Sequence, residues 1–379
     1  MKEKIIKVVS LMLVLVMVLS LAACDGKNSS SDAEDTTQAD GTHVIVDHLD
    51  NEVEVPNQVD KVVVCGVYPL PSVLTIFFDS ADKIVGMPAP SMTAAQNSLL
   101  GELYPEILNA KTDFIDGSTI NIEELMKLEP DVVFYGASEP EVGEQLTNAG
   151  FTAVAVSVNK WNYDAIETLN HWIELLSEIF PENDKTDIVA DYSDKVYKMV
   201  QDRVKDLSDE ERANAFFLFK YDDTTMMTSG ENFFGQWWCD AIGAKNVANE
   251  LKQDNQVAVS MEQVYAWNPD LIYITNFTQA SPDDLYNNAF AADDWSPITA
   301  VANHNVYKMP LGMYRSYTPG VDTPITLMWL AKQAYPSLFE DIDITEETVK
   351  YYKEVFGVDL TNEQAEKIFA PVKDAAAGF

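Results

Sequence analysis

The chain has 379 residues, long enough for two domains with separate cores, and 61 acidic against 25 basic residues give it a formal charge of −36. A surface this acidic repels phosphate backbones, which argues against nucleic acid as a partner. The three cysteines (Cys24, Cys65 and Cys239) are far apart, so we expect no disulfide framework.

The N-terminus predicts an export signal. Residues 1–23 carry three early lysines, then an apolar run, then small residues before Cys24. The end of this segment, LAAC, resembles a bacterial lipobox, which implies that Cys24 is lipidated and begins the mature chain. The alternative is an ordinary signal peptide followed by a chance cysteine. Residues 24–41 are serine-rich and acidic, so they predict a flexible spacer.

From residue 42 onward the pattern alternates between strands and helices. Two short β-like runs joined by an Asp-Asn turn come first. Alternation of this kind predicts an α/β fold with mainly parallel sheets covered on both faces. Predicted strands lie at 61–65, 83–87, 152–156, 215–220 and 305–309, and predicted helices at 70–79, 139–149, 233–242, 323–334, 346–356 and 362–368. Thr345 and Thr361 are the expected N-caps of the last two helices.

One unit occurs twice. IEELMKLEPDVVFY at 122–135 recurs as MEQVYAWNPDLIYI at 261–274, 139 positions later, with its glutamate, proline, aspartate and apolar positions kept. Each copy predicts a short helix halted by the proline and followed by a buried strand. We therefore expect two similar lobes with a cleft between them.

A long helix is predicted at 184–207, between the two copies. This stretch lacks glycine and proline, has apolar residues at near-helical spacing, and would be about 36 Å long. We interpret it as a rod joining a lobe at 42–182, through a connecting helix at 183–208, to a lobe at 209–379. The alternative is a surface helix of one lobe.

The motifs of common enzymes are absent. The sequence contains no HExxH, CxxC, GxSxG, Walker phosphate loop or GxGxxG. It therefore predicts no enzyme, no dedicated metal site and no cofactor.

The repeated glutamates are candidates for a docking contact. Glu123 and Glu262 both fall at the second helical position, behind the expected caps Asn121 and Ser260. The helix dipole favours a carboxylate there by about 0.3–1 kcal/mol, which is one explanation. The other is a matched pair of acids, one per lobe, that docks onto basic residues of a two-fold symmetric partner.

Several stretches in this order resemble a known family: INIEELMKLEPDVVF, GAKNVANE, VSMEQVYAWNPDLIYI and WSPITAVANHNVYKMP. They resemble the substrate-binding lipoproteins of bacterial ABC importers, in the class that takes up iron–siderophores, haem and cobalamin. The resemblance implies two α/β lobes joined by one long helix, a ligand held between them, and a monomer. It also implies that Glu123 and Glu262 engage arginines of the permease dimer.

Ligand residues are sought in the loops at the carboxyl ends of the strands. Arg315 is one of three arginines and the only one in such a loop. Beside Tyr314, its guanidinium suits an anionic, oxygen-rich ligand, whereas the alternative is a structural salt bridge. Tyr68 and Trp161 are candidates for stacking, Tyr221 for a cleft contact, and Met313 or Tyr314 for ligation of haem iron.

The sequence as a whole predicts a lipid-anchored protein on the extracytoplasmic face of the bacterial cell membrane. We expect it to capture a ferric chelate, either a siderophore complex or haem, and to deliver it to an ABC permease dimer powered by a separate ATPase. One alternative keeps the fold and binds a corrinoid or an oxyanion such as molybdate. Another is a surface scaffold or adhesin lipoprotein without a small-molecule ligand.

Overall fold

Two α/β lobes are joined by one long helix in a computed structural model that describes residues 41–377, apart from 118, 291 and 292. This confirms the predicted fold class. The predicted export signal, Cys24 and most of the spacer lie outside the described residues. Among the described residues, no helix is long and apolar enough to cross a membrane.

The N-terminal lobe comprises the elements from β1 to α6. Its strands are β1 (Thr42–Val46), β2 (Glu52–Pro56), β3 (Val62–Cys65), β4 (Ile84–Gly86), β5 (Ile115–Asp116), β6 (Thr119–Ile120), β7 (Val132–Gly136) and β8 (Ala153–Val156). Its helices are α1 (Leu70–Phe78), α2 (Ala89–Gln96), α3 (Leu99–Leu103), α4 (Ile122–Met126), α5 (Pro140–Asn148) and α6 (Ala165–Ile179).

The sheet of this lobe is entirely parallel, in the order β4-β3-β7-β8. Its central strands are continuous apolar runs that are buried on both faces, as parallel sheets require. The hairpin β1–β2 is antiparallel, as its turn predicts. The sequence analysis missed α2, α3 and α6, so it assigned too few helices to this lobe.

The connecting helix is α7 (Thr186–Val204), followed by the C-terminal lobe. Its strands are β9 (Asn214–Tyr221), β10 (Met226–Ser229), β11 (Lys245–Asn246), β12 (Gln256–Ala258), β13 (Leu271–Ile274) and β14 (Val306–Lys308). Its helices are α8 (Phe234–Ile242), α9 (Met261–Trp267), α10 (Pro282–Tyr286), α11 (Thr299–Ala302), α12 (Thr323–Ala334), α13 (Ile344–Tyr351) and α14 (Asn362–Ile368).

The second sheet is mixed. Its order is β12-β10-β9-β13-β14, with β9, β13 and β14 parallel and with β10 and β12 antiparallel to their neighbours. The antiparallel extension was not predicted, because β10 and β12 are short and have little apolar alternation to mark them.

The sequence repeat has a structural basis at equivalent places in the two sheets. The carboxylates of Asp131 and Asp270 each accept a backbone N–H at the start of the neighbouring strand, at 2.8 Å and 3.0 Å. Just before the proline of each copy, Glu129 and Asn268 adopt left-handed backbone conformations, with φ of 50° and 42°. Helix, turn and strand therefore recur as one unit, with β7 and β13 as counterparts.

Helix α7 belongs to both lobes. It packs against α6 of the N-terminal lobe and against α8 and α12 of the C-terminal lobe. Its 19 residues span about 28 Å, somewhat less than the sequence predicts. These contacts on both sides exclude the alternative of a helix on the surface of one lobe.

The capping prediction was right for one of the two last helices. Thr361 caps α14 and forms a capping box with Gln364. The prediction of Thr345 for α13 was wrong, because Asp343 accepts hydrogen bonds from the backbone N–H groups of Thr345 and Glu346. Because the carboxylate of Asp343 accepts these free N–H groups, the helix begins two residues earlier than predicted and Thr345 is not its cap.

His48 fastens the first hairpin to the N-terminal sheet. Its backbone N–H donates to Ala155 (3.1 Å), and its Nδ1 accepts from the backbone N–H of Ser157 (3.0 Å). Burial lowers the pKa of His48 to about 4 from its usual 6.5. The imidazole is therefore neutral in the folded protein at neutral pH, as an acceptor must be.

This shift predicts a loss of stability in acid. Because the folded pKa is depressed, the stabilisation from His48 is complete above pH 6.5 and is lost as the pH falls toward 4, by about 3 kcal/mol. Urea unfolding of the wild type and of His48→Gln, which keeps an acceptor but does not titrate, should show this difference between pH 7 and pH 4. Parallel pH profiles of the two proteins would contradict it.

Candidate ligand site between the lobes

Arg315 lies in the loop between β14 and α12 and reaches both lobes. Its side chain is fully buried. Nη1 donates to the carbonyl of Pro90, in the N-terminal lobe, at 3.3 Å and to the hydroxyl of Tyr314 at 2.8 Å. The arginine that the sequence singles out is therefore at the junction of the lobes.

Aromatic rings surround this guanidinium. Its Cζ lies 5.3 Å from the ring centre of Phe277, which follows β13, and 5.2 Å from that of Tyr314. Phe277 also stacks on Phe219 of β9, with ring centres 5.0 Å apart. These contacts are cation–π and stacking arrangements, which hold the charge in a fixed place within an apolar wall.

Tyr68 approaches the same place from the N-terminal lobe. It follows β3 after a turn at Gly66 (φ +80°), and its carbonyl accepts from the hydroxyl of Ser91 at 2.7 Å. Burial raises the pKa of Tyr68, and burial raises the pKa of Tyr314 to about 12. Both phenols stay protonated, so each can donate a hydrogen bond to a ligand oxygen.

The sequence analysis missed Glu139, which lies just before α5 at the carboxyl ends of β3 and β7. Together with Gly66, Tyr68 and Ser138 it lines a cavity of about 220 Å³. Burial raises the pKa of Glu139. In the sequence, Glu139 directly precedes the proline that begins a helix, which is an ordinary place for an acidic residue. Nothing in the sequence therefore indicates that its carboxylate lines a cavity.

Asp322 holds the loop that carries Tyr314 and Arg315. One carboxylate oxygen accepts from the backbone N–H of Met313 (2.8 Å) and the other from the hydroxyl of Tyr352 (2.5 Å). Burial raises the pKa of Asp322 to about 6, although these donors oppose the shift. Gly312 makes this approach possible, because a Cβ there would lie 1.9 Å from the carboxylate.

Gly312→Ala is therefore expected to be costly. The added methyl forces the loop away from Asp322, so the free energy of unfolding should fall by about 2 kcal/mol or more. Gly320→Ala is the matched control in the same loop, because a Cβ there meets no atom within 4 Å. Urea unfolding of both variants measures the difference, and equal losses would contradict this role of Gly312.

Three predicted ligand residues do not join this cluster. Met313 is fully buried in the main core rather than facing an open space. Tyr221 lines a cavity beside Phe277, but its hydroxyl donates to Asp293 and accepts from the indole N–H of Trp295, both at 2.9 Å, within the C-terminal lobe. The ring of Trp161 stacks on His171, with ring centres 4.2 Å apart.

Larger cavities among the described residues suit an anionic ligand less well. One of about 630 Å³ lies within the N-terminal lobe, between the first hairpin and α5. Another of about 550 Å³ lies between the loop Asn159–Tyr163 and the start of α8. Because Glu231, Asp240 and Asp254 line the second, it would repel an anion.

The repeated glutamates lie where the sequence predicts. Glu123 is exposed at the second position of α4, whose cap Asn121 accepts from its backbone N–H at 3.1 Å. Glu262 is exposed at the same position of α9, behind the capping box of Ser260 and Gln263. Neither carboxylate forms an ion pair with another described residue.

The described part of the chain contains no cluster of side chains that could coordinate a metal ion. No group of three His, Cys, Asp or Glu residues there is arranged to hold an ion.

Comparison with known proteins assigns the family. Residues 79–311 match the periplasmic binding protein family, and the chain belongs to it. The molybdate-binding protein MolA of Haemophilus influenzae is 26% identical over 335 residues, covering 83% of this chain and 90% of MolA. The structure of MolA with molybdate superposes with a TM-score of 0.70 at 24% identity, covering 84% of this chain and 99% of MolA.

Two further relatives are proteins of Bacillus subtilis. The uncharacterized ABC transporter substrate-binding lipoprotein YvrC is 24% identical over 332 residues, covering 86% of this chain and 96% of YvrC. The iron-uptake system-binding protein is 23% identical over 310 residues, covering 78% of this chain and 88% of the relative. The chain is thus a substrate-binding protein of ABC importers and not an enzyme.

Proposed function

We propose that this protein captures a ferric chelate, of the siderophore or haem type, in the cleft around Arg315 and delivers it to an ABC permease. The observation that carries the proposal is one buried guanidinium at the junction of the lobes, with the rings of Phe277 and Tyr314 beside it and with Tyr68 close enough to interact with Tyr314. A ferric chelate presents anionic oxygens on a bulky, partly apolar body, which matches this combination.

A bare oxyanion is the second candidate, because the relative MolA binds molybdate. Small oxyanions are usually held by several N–H donors with few rings nearby. Among the described residues, the groups seen in contact with the guanidinium of Arg315 include a phenol, a phenyl ring and backbone carbonyls. These groups favour the larger chelate over molybdate. A corrinoid is also bulky and partly apolar, so it is a further alternative.

Delivery is proposed to use Glu123 and Glu262. A helix that leads into a parallel strand runs back against it, so its N-terminus lies toward the edge where the strands end. Both glutamates are exposed at such N-termini, one per lobe. A permease dimer with two-fold symmetry would meet one carboxylate in each lobe.

Anchoring is proposed through a lipid on Cys24, which lies outside the described residues. The LAAC sequence supports it, as does the name of the relative YvrC, which is called a lipoprotein. Mass spectrometry of the membrane fraction would show a lipid-modified Cys24 as the first residue. An unmodified or differently cleaved N-terminus would overturn this part of the proposal.

The cargo is tested by thermal unfolding of the chain from residue 42 against a ligand panel. The panel holds a ferric trihydroxamate, a ferric catecholate, haem, cobalamin, molybdate and buffer alone. A ligand at a hundred times its Kd adds about 2.7 kcal/mol to the free energy of unfolding, which raises the midpoint. We expect a ferric chelate to do this. A shift with molybdate or cobalamin alone would overturn the iron proposal, and no shift with any ligand would contradict cargo binding.

A further inference from the structure

The C-terminal segment, defined here as residues 370–377, passes through the space where cargo is proposed to bind. It follows α14 and contains a single 3₁₀ turn, Lys373–Ala376. This turn packs against α2 of the opposite lobe. Ala375 is fully buried and Ala376 is 5% exposed.

Ala375 occupies the binding face of Arg315. Its carbonyl oxygen accepts from Nε at 3.0 Å and from Nη2 at 2.6 Å. These two N–H groups form the side of the guanidinium fork that binds carboxylates and other anionic oxygens. A neutral carbonyl of the chain itself therefore stands where an anionic oxygen of cargo would bind.

The C-terminal segment also borders two cavities. On one side is a cavity of about 320 Å³, lined by residues 370–372 together with Ser98 and Leu311. On the other is a cavity of about 380 Å³, lined by residues 376 and 377 together with Phe277.

Apart from the hydrogen bonds to Arg315, the segment is attached by one ion pair and by small side chains. Its ion pair, Lys373 with Asp284 at 2.9 Å, has a lysine side chain that is 54% exposed, so water screens it. The buried side chains of the turn, Ala375 and Ala376, are small and offer little apolar area. The hydrogen bonds from Arg315 to the carbonyl of Ala375 are therefore the segment's main attachment, and an anionic oxygen of cargo can replace that carbonyl.

We propose that the C-terminal segment is an internal plug that competes with cargo for Arg315 and leaves the cleft when cargo binds. The competition rests on the function proposed above, whereas the covering of Arg315 does not. The plug keeps a buried cation paired in the empty protein. It also weakens the apparent affinity for cargo, because the apparent Kd is the intrinsic Kd divided by the fraction of molecules in which the cleft is open.

Arginine modification tests the plug without any cargo. Phenylglyoxal labels accessible guanidinium groups, and peptide mass spectrometry follows each arginine separately. The chain from residue 42 to 379 is compared with one that ends at Ala370. We expect the labelling rate of Arg315 to rise about tenfold or more in the shorter chain, while Arg203, which pairs with Asp341 on another surface, keeps its rate. An unchanged rate at Arg315 would overturn the proposal.

A point variant guards against misfolding of the shorter chain. Lys373→Glu places a carboxylate against Asp284, so it should loosen the plug and speed labelling of Arg315 several-fold. Lys353→Glu is the control, because it breaks an exposed ion pair with Asp359 elsewhere. Equal labelling of Arg315 in the two variants would count against the plug.

Competition is measured with a ferric trihydroxamate as the probe. Its Kd should be about tenfold lower for the chain that ends at Ala370 than for the longer chain. An equal or higher Kd would overturn competition and would make the segment neutral or a part of the site. If the probe and the rest of the panel bind neither chain, the proposed function fails, and labelling of Arg315 still decides whether the segment covers it.

Discussion

Replacing Glu123 and Glu262 together by glutamine is expected to abolish cargo uptake by cells while leaving cargo affinity unchanged. Both carboxylates are exposed at helix N-termini, one in each lobe, and neither pairs with another described residue. Two separated charge contacts with a permease dimer fix its register, so losing both removes productive docking. Uptake of radiolabelled iron by cells carrying the variant, together with the Kd of the purified protein, measures the two effects.

A matched control separates docking from helix stability. Glu346 and Glu363 are also exposed acids in the first turns of helices, α13 and α14, and Glu363 holds the same second position. The change to glutamine there removes the same favourable interaction with the helix dipole, about 1 kcal/mol at most. Uptake should stay normal in this control. Normal uptake in the Glu123 and Glu262 double variant would rule out the docking role.

Arg315→Lys should weaken cargo binding by about tenfold or more, and Arg315→Ala by about a hundredfold. Lysine keeps the charge but cannot present two parallel N–H groups, whereas alanine removes both charge and fork. Titration with the ferric chelate that raises the unfolding midpoint gives the Kd of each variant. Circular dichroism shows whether each variant is folded.

Arg203→Lys is the corresponding control. Arg203 also makes a two-pronged contact, with the carboxylate of Asp341, but it lies on the connecting helix α7. Its replacement should leave cargo affinity unchanged. If Arg315→Lys bound cargo as tightly as Arg203→Lys, Arg315 would be a structural residue only.

The repeated unit could be predicted in detail because its determinants are local. A cap, a glutamate, a left-handed residue and a proline fix helix and turn within a dozen residues, and apolar runs mark the following strands. The glutamates therefore lie where the sequence places them. The same locality explains why Thr361 was correctly assigned as a cap.

The ligand cluster could be predicted only in part, because it depends on contacts between distant segments. Arg315 was found because arginine is rare in this chain, but its partners Pro90 and Ala375 are 225 and 60 residues away along the sequence. Nothing in the pattern near either residue indicates that contact.

Loop position alone does not fix the direction of a side chain. Met313 and Tyr314 are neighbours in the same loop and both are buried in the main core, but Tyr314 has its ring against the guanidinium of Arg315. The ring of Trp161 is covered by His171. Strand ends identify which loops border a cleft. Packing decides which side chain faces the cleft. Irregular segments have no periodicity from which this direction could be predicted.

Binding of a ferric chelate between the lobes at Arg315 can be observed directly. Crystals grown with the chelate that shifts the unfolding midpoint, measured at the iron absorption edge, locate the metal directly. We expect an iron peak between Tyr68 and Phe277, with a chelate oxygen on the guanidinium of Arg315 and Ala375 displaced from it. An iron peak elsewhere, with the carbonyl of Ala375 still on Arg315, would contradict it.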